Sequence, residues 1–240
     1  MNLPFFYSDN IVHASTLVLD AETSRHIARV LRMQEGEQLL LTDGKGNKAS
    51  ATIIDSDKHQ CSVRVDEVMT TTAAKQSITL AVSLLKHPDR FEWLLEKVTE
   101  IGVTKIIPLL CARTEKQQFK KERCRNILIS ALLQSKQCFL PELTEPKNIS
   151  EFIKESTAIN KWIAHCEDDE TKRKPFAAAT GETVMLIGPE GDFTAAEIQF
   201  ALSSGFLPVS LGDTRLRTET AAMVAAVMLR ANVPGVTKAS

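Results

Sequence analysis

The pattern of apolar and polar positions changes character near residue 70. Before that point, short segments alternate between apolar and polar side chains, as in EQLLLTDGKGNKASATIID (37–55) and CSVRVDEV (61–68). Alternation of this kind predicts half-buried strands, and the turn residues DGKGN (43–47) predict a hairpin between two of them. One short helix is predicted over 21–33. A mostly β segment with one short helix is typical of a small barrel.

Beyond a small polar linker, 69–77, strands and helices alternate. ITLAVSLL (78–85) and VTKIIPLL (103–110) are predicted as buried strands, and RFEWLLEKVTEI (90–101) has apolar residues at helical spacing. Further strands are expected at 161–165, 184–187 and 207–212, and further helices at 120–137, 194–204 and 218–231. This order predicts an α/β domain with a largely parallel sheet. We therefore expect two domains, residues 1–72 and residues 73–240.

Composition is that of a globular chain rather than a fibrous or membrane protein. Of the 240 residues, 43% are hydrophobic, and no apolar run approaches the roughly 18–20 residues that a membrane span needs. Five cysteines without a CxxC pair indicate reduced thiols and argue against a disulfide framework or a zinc site. The first ten residues lack the basic region of a secretory signal. We expect a cytoplasmic protein without a bound metal, and we expect Trp93 and Trp162 in its core.

The net charge of −1 conceals an uneven distribution. Residues 86–136 carry eleven Lys and Arg against six Asp and Glu, whereas residues 1–72 carry seven against ten. A basic stretch in a nearly neutral chain is typical of a polyanion-binding surface, but a solvated helix surface explains the charge equally well. In the first predicted helix, Arg25, Arg29 and Arg32 are spaced to share one face, with Ile27, Val30 and Leu31 expected in the core.

A glycine-rich loop follows the predicted strand at 184–187, in LIGPEGDFTAAE (186–197). Thr194 and Glu197 have the spacing of a capping box, so a helix starts directly after the loop. Helix starts after strands attract anions, yet this loop carries Glu190 and Asp192 and no lysine. Carboxylates and backbone groups suit ribose hydroxyls and a cationic cofactor better than a polyphosphate. An ordinary strand-to-helix turn is the alternative.

A second loop of similar kind lies in VSLGDTRLRTETAAM (209–223). It contains Gly212 at the end of a strand, Arg215 and Arg217 within the loop, and Glu219 in the first turn of a helix, where the helix dipole favours a carboxylate. Because ligands of open α/β sheets bind at the carboxyl ends of the strands, we expect the two loops to converge on one site.

The motifs IGPEGDF (187–193) and LGDTRLRTETA (211–221) resemble the cofactor-binding loops of the RsmE family of ribosomal RNA methyltransferases. RHIARVLRMQEGEQLLLTDGKGN (25–47) is similar to the family's N-terminal barrel, and LLKHPDRFEWLLEKVTEIGVTKIIPL (84–109) to the start of its catalytic domain. The resemblance covers nearly the whole chain. It implies an α/β fold, with a trefoil-knotted SPOUT methyltransferase domain preceded by a small PUA/OB-like β-barrel. It also implies a homodimer, S-adenosylmethionine as cofactor, and methyl transfer to N3 of a uridine in 16S ribosomal RNA of the small subunit.

Two positions depart from the family pattern. Asp192 stands where glycine is expected, which puts the conformation of its loop in question. Gln137 stands where arginine is typical, although Gln134 and Ser135 fit the pattern, and this puts one RNA or active-site contact in question.

The loop chemistry and the resemblance together name the candidate site residues. Arg217 is predicted to stabilise negative charge on the uracil oxygens, and Glu219 or Glu190 to assist removal of the N3 proton. The residues predicted to bind the cofactor are Leu186, Gly188, Pro189, Glu190, Gly191, Leu211, Gly212, Leu216, Arg217, Thr218 and Thr220. The residues predicted to bind RNA are Arg25, His26, Arg29, Arg32, Arg113, Lys120 and Lys121, with Lys116, Arg123 and Arg125 in the same basic run.

Three functions remain open from the sequence. The first is an RNA methyltransferase that uses S-adenosylmethionine. The second is an RNA-binding or assembly factor on the same scaffold, with Asp192 as the sign of lost activity. The third is an α/β enzyme for a nucleotide or another small metabolite, which ranks last because the chain has no phosphate-loop motif.

Overall fold

The chain divides into two compact units. The computed structural model describes residues 3–12, 15–115, 119–167, 171–173 and 181–231. The first unit comprises Met1–Ala73 together with Leu132–Leu140, and the second comprises Ala74–Ala131 together with Pro141–Ser240. A segment from the middle of the chain thus belongs to the N-terminal unit, which a single linker near residue 70 does not predict.

The first unit is built on a five-stranded sheet with the order β1-β3-β4-β5-β2. Its strands are β1 (Phe5–Tyr7), β2 (Thr16–Val18), β3 (Gln38–Thr42), β4 (Asn47–Asp55) and β5 (Ser62–Thr70). Strands β3 and β4 form the predicted antiparallel hairpin. Alternate residues of β4 are buried, because successive side chains of a strand point to opposite faces. The buried face packs on a core that includes Leu39, Leu41 and Ile53.

The predicted helix over 21–33 is two different helices. An α-helix, α1 (Ala21–Arg25), is capped by Asp20, whose side chain accepts from the N–H groups of Glu22 and Thr23. A π-helical segment, His26–Leu31, follows it. The wider π turn changes which residues share a face, so Ile27 is buried, as expected, while Val30 and Leu31 are exposed, against expectation.

Residues 132–140 pack on the β3–β4 hairpin through the backbone. The N–H of Leu140 donates to the carbonyl of Gly44 at 2.8 Å, and the N–H of Gly46 donates to the carbonyl of Cys138 at 2.7 Å. Gly46 has φ +98°, and a Cβ there would lie 2.7 Å from ring atoms of Phe139. Glycine at this position of the hairpin therefore allows a close approach of two chain segments.

The second unit contains a seven-stranded sheet with the order β12-β10-β11-β6-β7-β8, in which β9 also pairs with β7. All of its strand pairs are parallel. The strands are β6 (Gln76–Ser83), β7 (Lys105–Leu110), β8 (Glu142–Leu143), β9 (Lys147–Asn148), β10 (Asn160–Ala164), β11 (Gly181–Ile187) and β12 (Leu207–Val209). The helices are α2 (Pro88–Ile101), α3 (Lys121–Gln134), α4 (Ile149–Glu155), α5 (Ala195–Ser203) and α6 (Thr218–Ala231). The last three residues of α3 belong to the first unit. The predicted α/β class with a parallel sheet is confirmed.

Local sequence accounts for most of these elements. Strand β6 is buried along nearly its whole length, which explains its continuous apolar run. Helix α2 starts with Pro88, buries its apolar stripe, and ends at Gly102 in the left-handed conformation with φ 90°. Helix α3 ends three residues earlier than predicted, in a Schellman motif. The N–H of Gln137 donates to the carbonyl of Leu132 at 3.1 Å, and Lys136 adopts φ 55°.

Two sequence expectations about these elements are wrong, and one helix was not predicted. Strands β5 and β6 extend into the expected linker 69–77, so it is only about five residues long. Helix α4 was not expected. Trp93 is 40% exposed and is no core residue, whereas Trp162 is buried as predicted.

No helix in the described part of the chain is long and apolar enough to cross a membrane.

Gly46 and Gly36 provide a test of the hairpin contact. Both have positive φ, but a Cβ at Gly36 meets nothing within 4 Å. Gly36→Ala therefore incurs only the backbone penalty of about 1 kcal/mol, and Gly46→Ala adds overpacking of about 1–3 kcal/mol. Urea unfolding followed by circular dichroism measures both. Equal losses of stability in the two variants would contradict the contact with Phe139.

Candidate functional site

A cleft of about 660 Å³ opens where β10, β11 and β12 end. Because the strands are parallel, their carboxyl ends lie at one edge of the sheet, and the loops that follow them meet there. The cleft is lined by Ala164–Cys166 after β10, by Ile187–Glu190 and Asp192 after β11, and by Val209–Thr218 after β12, with Lys172 and Ala221 completing it. The expected convergence of the two loops is thus observed.

One buried hydrogen bond joins the two loops directly. The hydroxyl of Thr218, the first residue of α6, donates to the carbonyl of Gly188 at 3.0 Å. At Gly188 a Cβ would lie 3.1 Å from the backbone nitrogen of Phe193 and 3.3 Å from Oδ1 of Asp192. Such distances are tighter than ordinary contacts, so glycine allows the loop to fold back on itself.

Asp192 completes the turn that follows Gly188. Its N–H donates to the carbonyl of Pro189 at 2.9 Å, and it adopts φ 63°, a left-handed conformation that favours glycine. Its carboxylate accepts two backbone N–H groups, that of Phe193 on Oδ1 at 2.8 Å and that of Cys166 on Oδ2 at 2.7 Å. Asp192 therefore reproduces the conformation expected of glycine and also ties the loop to the end of β10.

Glu190 makes a similar hydrogen bond that joins the loop to the chain after β6. Its Oε1 accepts the backbone N–H of Lys86, after β6, at 3.1 Å. The carboxylates of Glu190 and Asp192 thus both accept hydrogen bonds from backbone N–H groups. These hydrogen bonds give the two carboxylates a structural role, so their presence in the loop does not depend on a ligand alone.

Arg113 and Glu197 connect the chain after β7 with the segment 191–197 in opposite directions. Arg113 Nη1 donates to the carbonyl of Gly191 at 2.6 Å and to that of Phe193 at 3.3 Å. Glu197 forms the predicted capping box with Thr194, and its Oε1 accepts the N–H of Ala112 at 2.8 Å. Arg113, predicted from its charge to bind RNA, is placed where it holds the loop after β11.

Most of the residues predicted to bind a cofactor lie together. Those that line the cleft are Gly188, Pro189, Glu190, Leu211, Gly212, Leu216, Arg217 and Thr218. Those that do not line it are Leu186, which is buried within β11, Gly191, and Thr220 in α6. The lining residues after β10, among them His165 and Cys166, were missed because no motif marks them. Their only signal is their position after a parallel strand.

The two residues predicted as catalytic are placed differently. Arg217 is exposed and lines the cleft. Glu219 does not line it. It is buried, its Oε1 lies 3.9 Å from Nε of Arg90 on α2, and its Oε2 has no hydrogen-bond partner in the described residues.

Charges within the cleft are of both signs. Lys172, Arg215 and Arg217 are balanced by Glu190, Asp192 and Asp213. Partial burial, and then the Asp192 carboxylate, raise the pKa of the Cys166 thiol, so this cysteine stays neutral near pH 7. Over the described ranges, no group of three or more His, Cys, Asp or Glu side chains is arranged to hold a metal ion.

The residues predicted to bind RNA fall into two groups. Arg25, His26, Arg29 and Arg32 are all exposed on the helical segment of the first unit. In the second unit, Lys120 is exposed, and Lys121 pairs with Glu145 at 2.9 Å. Lys116 lies outside the described residues.

Comparison with known proteins assigns both parts of the chain. A family model described as "RNA methyltransferase domain" matches residues 72–230, and one described as "RNA methyltransferase PUA domain" matches residues 19–66. Ribosomal RNA small subunit methyltransferase E of Synechocystis sp. is 31% identical over 232 residues, which cover 93% of this chain and 75% of that protein.

The chain belongs to the RsmE family of RNA methyltransferases.

Solved structures of similar proteins agree with this assignment. A methyltransferase from Legionella pneumophila, in complex with bound SAM, has a TM-score of 0.85 and 32% identity, over 96% of this chain and 98% of that one. Ribosomal RNA small subunit methyltransferase E from Neisseria gonorrhoeae, bound to S-adenosyl methionine, has a TM-score of 0.82 and 30% identity, over 94% and 96%. The family resemblance seen in the sequence is confirmed, as is a PUA-like N-terminal part.

Replacement of Asp192 separates its two contributions to the loop. Asp192→Ala removes both side-chain hydrogen bonds and keeps a Cβ at positive φ, so we expect a loss of about 2 kcal/mol of unfolding free energy. Asp192→Gly loses the same bonds but relieves the backbone by about 1 kcal/mol. Urea denaturation should therefore rank the proteins wild type, Asp192→Gly, Asp192→Ala. An alanine variant as stable as the wild type would show that the hydrogen bonds to Cys166 and Phe193 together contribute nothing to stability.

Proposed function

We propose that this chain transfers a methyl group from S-adenosylmethionine to N3 of a uridine in 16S ribosomal RNA of the small subunit. The observation that carries the proposal is the cleft between residues 188–190 and 211–218, in a chain of the RsmE family. These are the loops whose motifs resemble the family's cofactor-binding pair. We place the reaction in the cytoplasm.

The cleft fits the proposed cofactor in size and chemistry. Its volume lies within the range of about 300–1,000 Å³ that is typical of small-molecule sites. Leu211, Leu216 and Ile187 provide apolar lining for an adenine ring. The first N–H groups of α6 have no partner within the helix and suit the amino-acid carboxylate. Oε2 of Glu190 is left to accept a ribose hydroxyl or a proton.

S-adenosylmethionine supplies an electrophilic methyl group when bound. The chain must then hold uracil in line and favour loss of its N3 proton, because neutral N3 is a weak nucleophile. Arg217, on the lining of the cleft, is proposed to stabilise the negative charge that develops on the uracil oxygens. Of the two carboxylates considered for proton removal, Glu190 lines the cleft, and we assign the proton to it. Glu219 is proposed to position the start of α6 through Arg90.

The N-terminal unit is proposed to bind the RNA. Arg25, His26, Arg29 and Arg32 are exposed together on one short helical segment, and such side chains position RNA through its phosphates. In this proposal residues 1–72 form an RNA-binding domain of PUA type, and residues 73–240 form the methyltransferase domain.

We also propose a homodimer and a SPOUT knot for the second domain. Trp93 on α2 and Val227 on α6 are large apolar side chains that are 40% and 48% exposed, and the two helices pack on each other. Exposed apolar groups on neighbouring helices are suited to contact a second copy. The proposal of a knot rests on the family to which the chain belongs.

Methyl transfer to small subunits is the direct test of the proposed activity. Subunits from a strain without this enzyme are incubated with the protein and S-adenosylmethionine, and the digested RNA is examined for 3-methyluridine by mass spectrometry. The proposal requires that this nucleoside appear. A protein that binds the cofactor and methylates a different nucleoside would contradict it.

Arg217→Ala is expected to reduce kcat for this transfer by about 100-fold, which is typical for loss of one group that stabilises an anionic transition state. Arg215→Ala is the matched control, because it removes the same charge from the same cleft two residues away. We expect it to lower kcat far less. Similar losses in the two variants would show that the cleft requires positive charge in general and not Arg217.

A further inference from the structure

A second cavity, of about 380 Å³, opens in the same unit beside the start of α2. Leu84 and Leu85, which follow β6, form part of its apolar lining with Phe91 of α2 and Phe119 before α3. Its volume is within the range of small-molecule sites. The second cavity and the first cleft have no lining residue in common.

The aromatic part of the lining suits a flat ring. Phe91 and Phe119 form an edge-to-face pair with ring centroids 6.5 Å apart and an angle of 78° between the ring planes. Phe91 is only 4% exposed, whereas Phe119 is half-buried and lines the cavity. Phe91 thus holds Phe119 in place, and an unstacked nucleobase can stack on an aromatic side chain of this kind.

The charged part of the lining offers one cation and one anion. Arg123 and Glu92 form a bidentate ion pair, in which the two charges neutralise each other. Nη2 of Arg123 lies 2.8 Å from Oε2 of Glu92, and Nε of Arg123 lies 2.5 Å from Oε1. Lys120 and Asp89 are exposed and have no side-chain partner in the described residues. A lysine suits a phosphate, and a carboxylate suits the N–H groups on the edge of a base.

The cavity also lies next to the proposed methyl-transfer cleft. Lys86 directly follows Leu85 of the cavity, and its backbone N–H donates to Glu190 of the cleft. The strands that precede the two linings, β6 and β11, are neighbours in the sheet. The two openings are therefore adjacent along the carboxyl edge.

We propose that this second cavity binds one unpaired nucleotide of the substrate RNA, close in the chain to the uridine that receives the methyl group. The base stacks on Phe119 and donates to Asp89, and its phosphate contacts Lys120. The inference rests on the proposed function, since it concerns the RNA of that reaction.

Substitutions at Phe119 test the stacking contact. Phe119→Ala and Phe119→Leu should raise KM for small subunits about tenfold, because both remove the aromatic face. Phe119→Tyr, which keeps it, should stay within about twofold. Phe200→Leu is the matched control, since Phe200 is half-buried on α5 and lines neither cavity. Calorimetry should give one affinity for S-adenosylmethionine in all five proteins, wild type included.

The same variants give results that overturn the inference. A wild-type KM in Phe119→Leu rules out a stacked base. A loss of cofactor affinity in Phe119→Leu makes the residue a support of the cleft, and a loss of dimer in light scattering assigns the cavity to a contact between copies.

A direct RNA-binding measurement separates failure of the proposed methyl transfer from failure of the proposed RNA cavity. If the wild-type protein methylates no subunit, that function is wrong. The cavity is then judged by anisotropy with a fluorescent single-stranded RNA. Binding about tenfold weaker in Phe119→Leu than in Phe119→Tyr supports the cavity as an RNA site, and equal binding, or none by the wild type, overturns it.

Discussion

Three carboxylates in one short segment hold together the edge of the sheet on which the site is built. Glu190 accepts a backbone N–H from the chain after β6, Asp192 from the chain after β10, and Glu197 from the chain after β7. Thr218 adds a hydrogen bond from the loop after β12 to the carbonyl of Gly188. The loop after β11 and the first turn of α5 are thereby hydrogen-bonded to the segments that follow four other strands. Charge-assisted hydrogen bonds of this kind are stronger than neutral ones, so the loop is fixed before any ligand arrives.

This arrangement explains why the loop after β11, which lines the cleft, carries acidic residues and no lysine. A carboxylate can accept N–H groups from neighbouring backbone, which would otherwise lack partners at the ends of strands. Arg113 makes the converse contact, donating to carbonyls of the same loop. Side chains thus provide hydrogen-bond partners for backbone groups, and Gly188 allows the loop to fold back against Asp192 and Phe193. Preorganisation of this kind reduces the cost of ordering the site when a ligand binds.

Much of this structure could be predicted from the chain itself. The capping box of Thr194 and Glu197, the hairpin at 43–47 and the bounds of α6 follow from local rules. The meeting of the two loops follows from the parallel sheet. Other features depend on contacts between distant residues. The packing of 132–140 on the hairpin has no local signal, because it is decided by tertiary contacts. The π-helical turn after Arg25 was not predicted either. Charge alone suggested that Arg113 binds RNA, because a sequence does not show which carbonyls a guanidinium reaches.

Asp192 illustrates the same limit. As a departure from the family pattern, it was the main reason to consider lost activity. In the structure it adopts the left-handed conformation expected of glycine and gains two hydrogen bonds, so the loop is intact. The substitution therefore gives no support to the hypothesis of a non-catalytic RNA-binding factor.

We propose that the two loops after β11 and β12, held in place by the hydrogen bonds described above, form the cofactor site. The decisive measurement is a crystal structure of the complex with S-adenosylmethionine. We expect the cofactor between residues 188–190 and 211–218, with the contacts of Glu190, Asp192 and Glu197 to the backbone unchanged. A cofactor bound elsewhere, or a loop that breaks these contacts to admit it, would show that the proposed site is wrong.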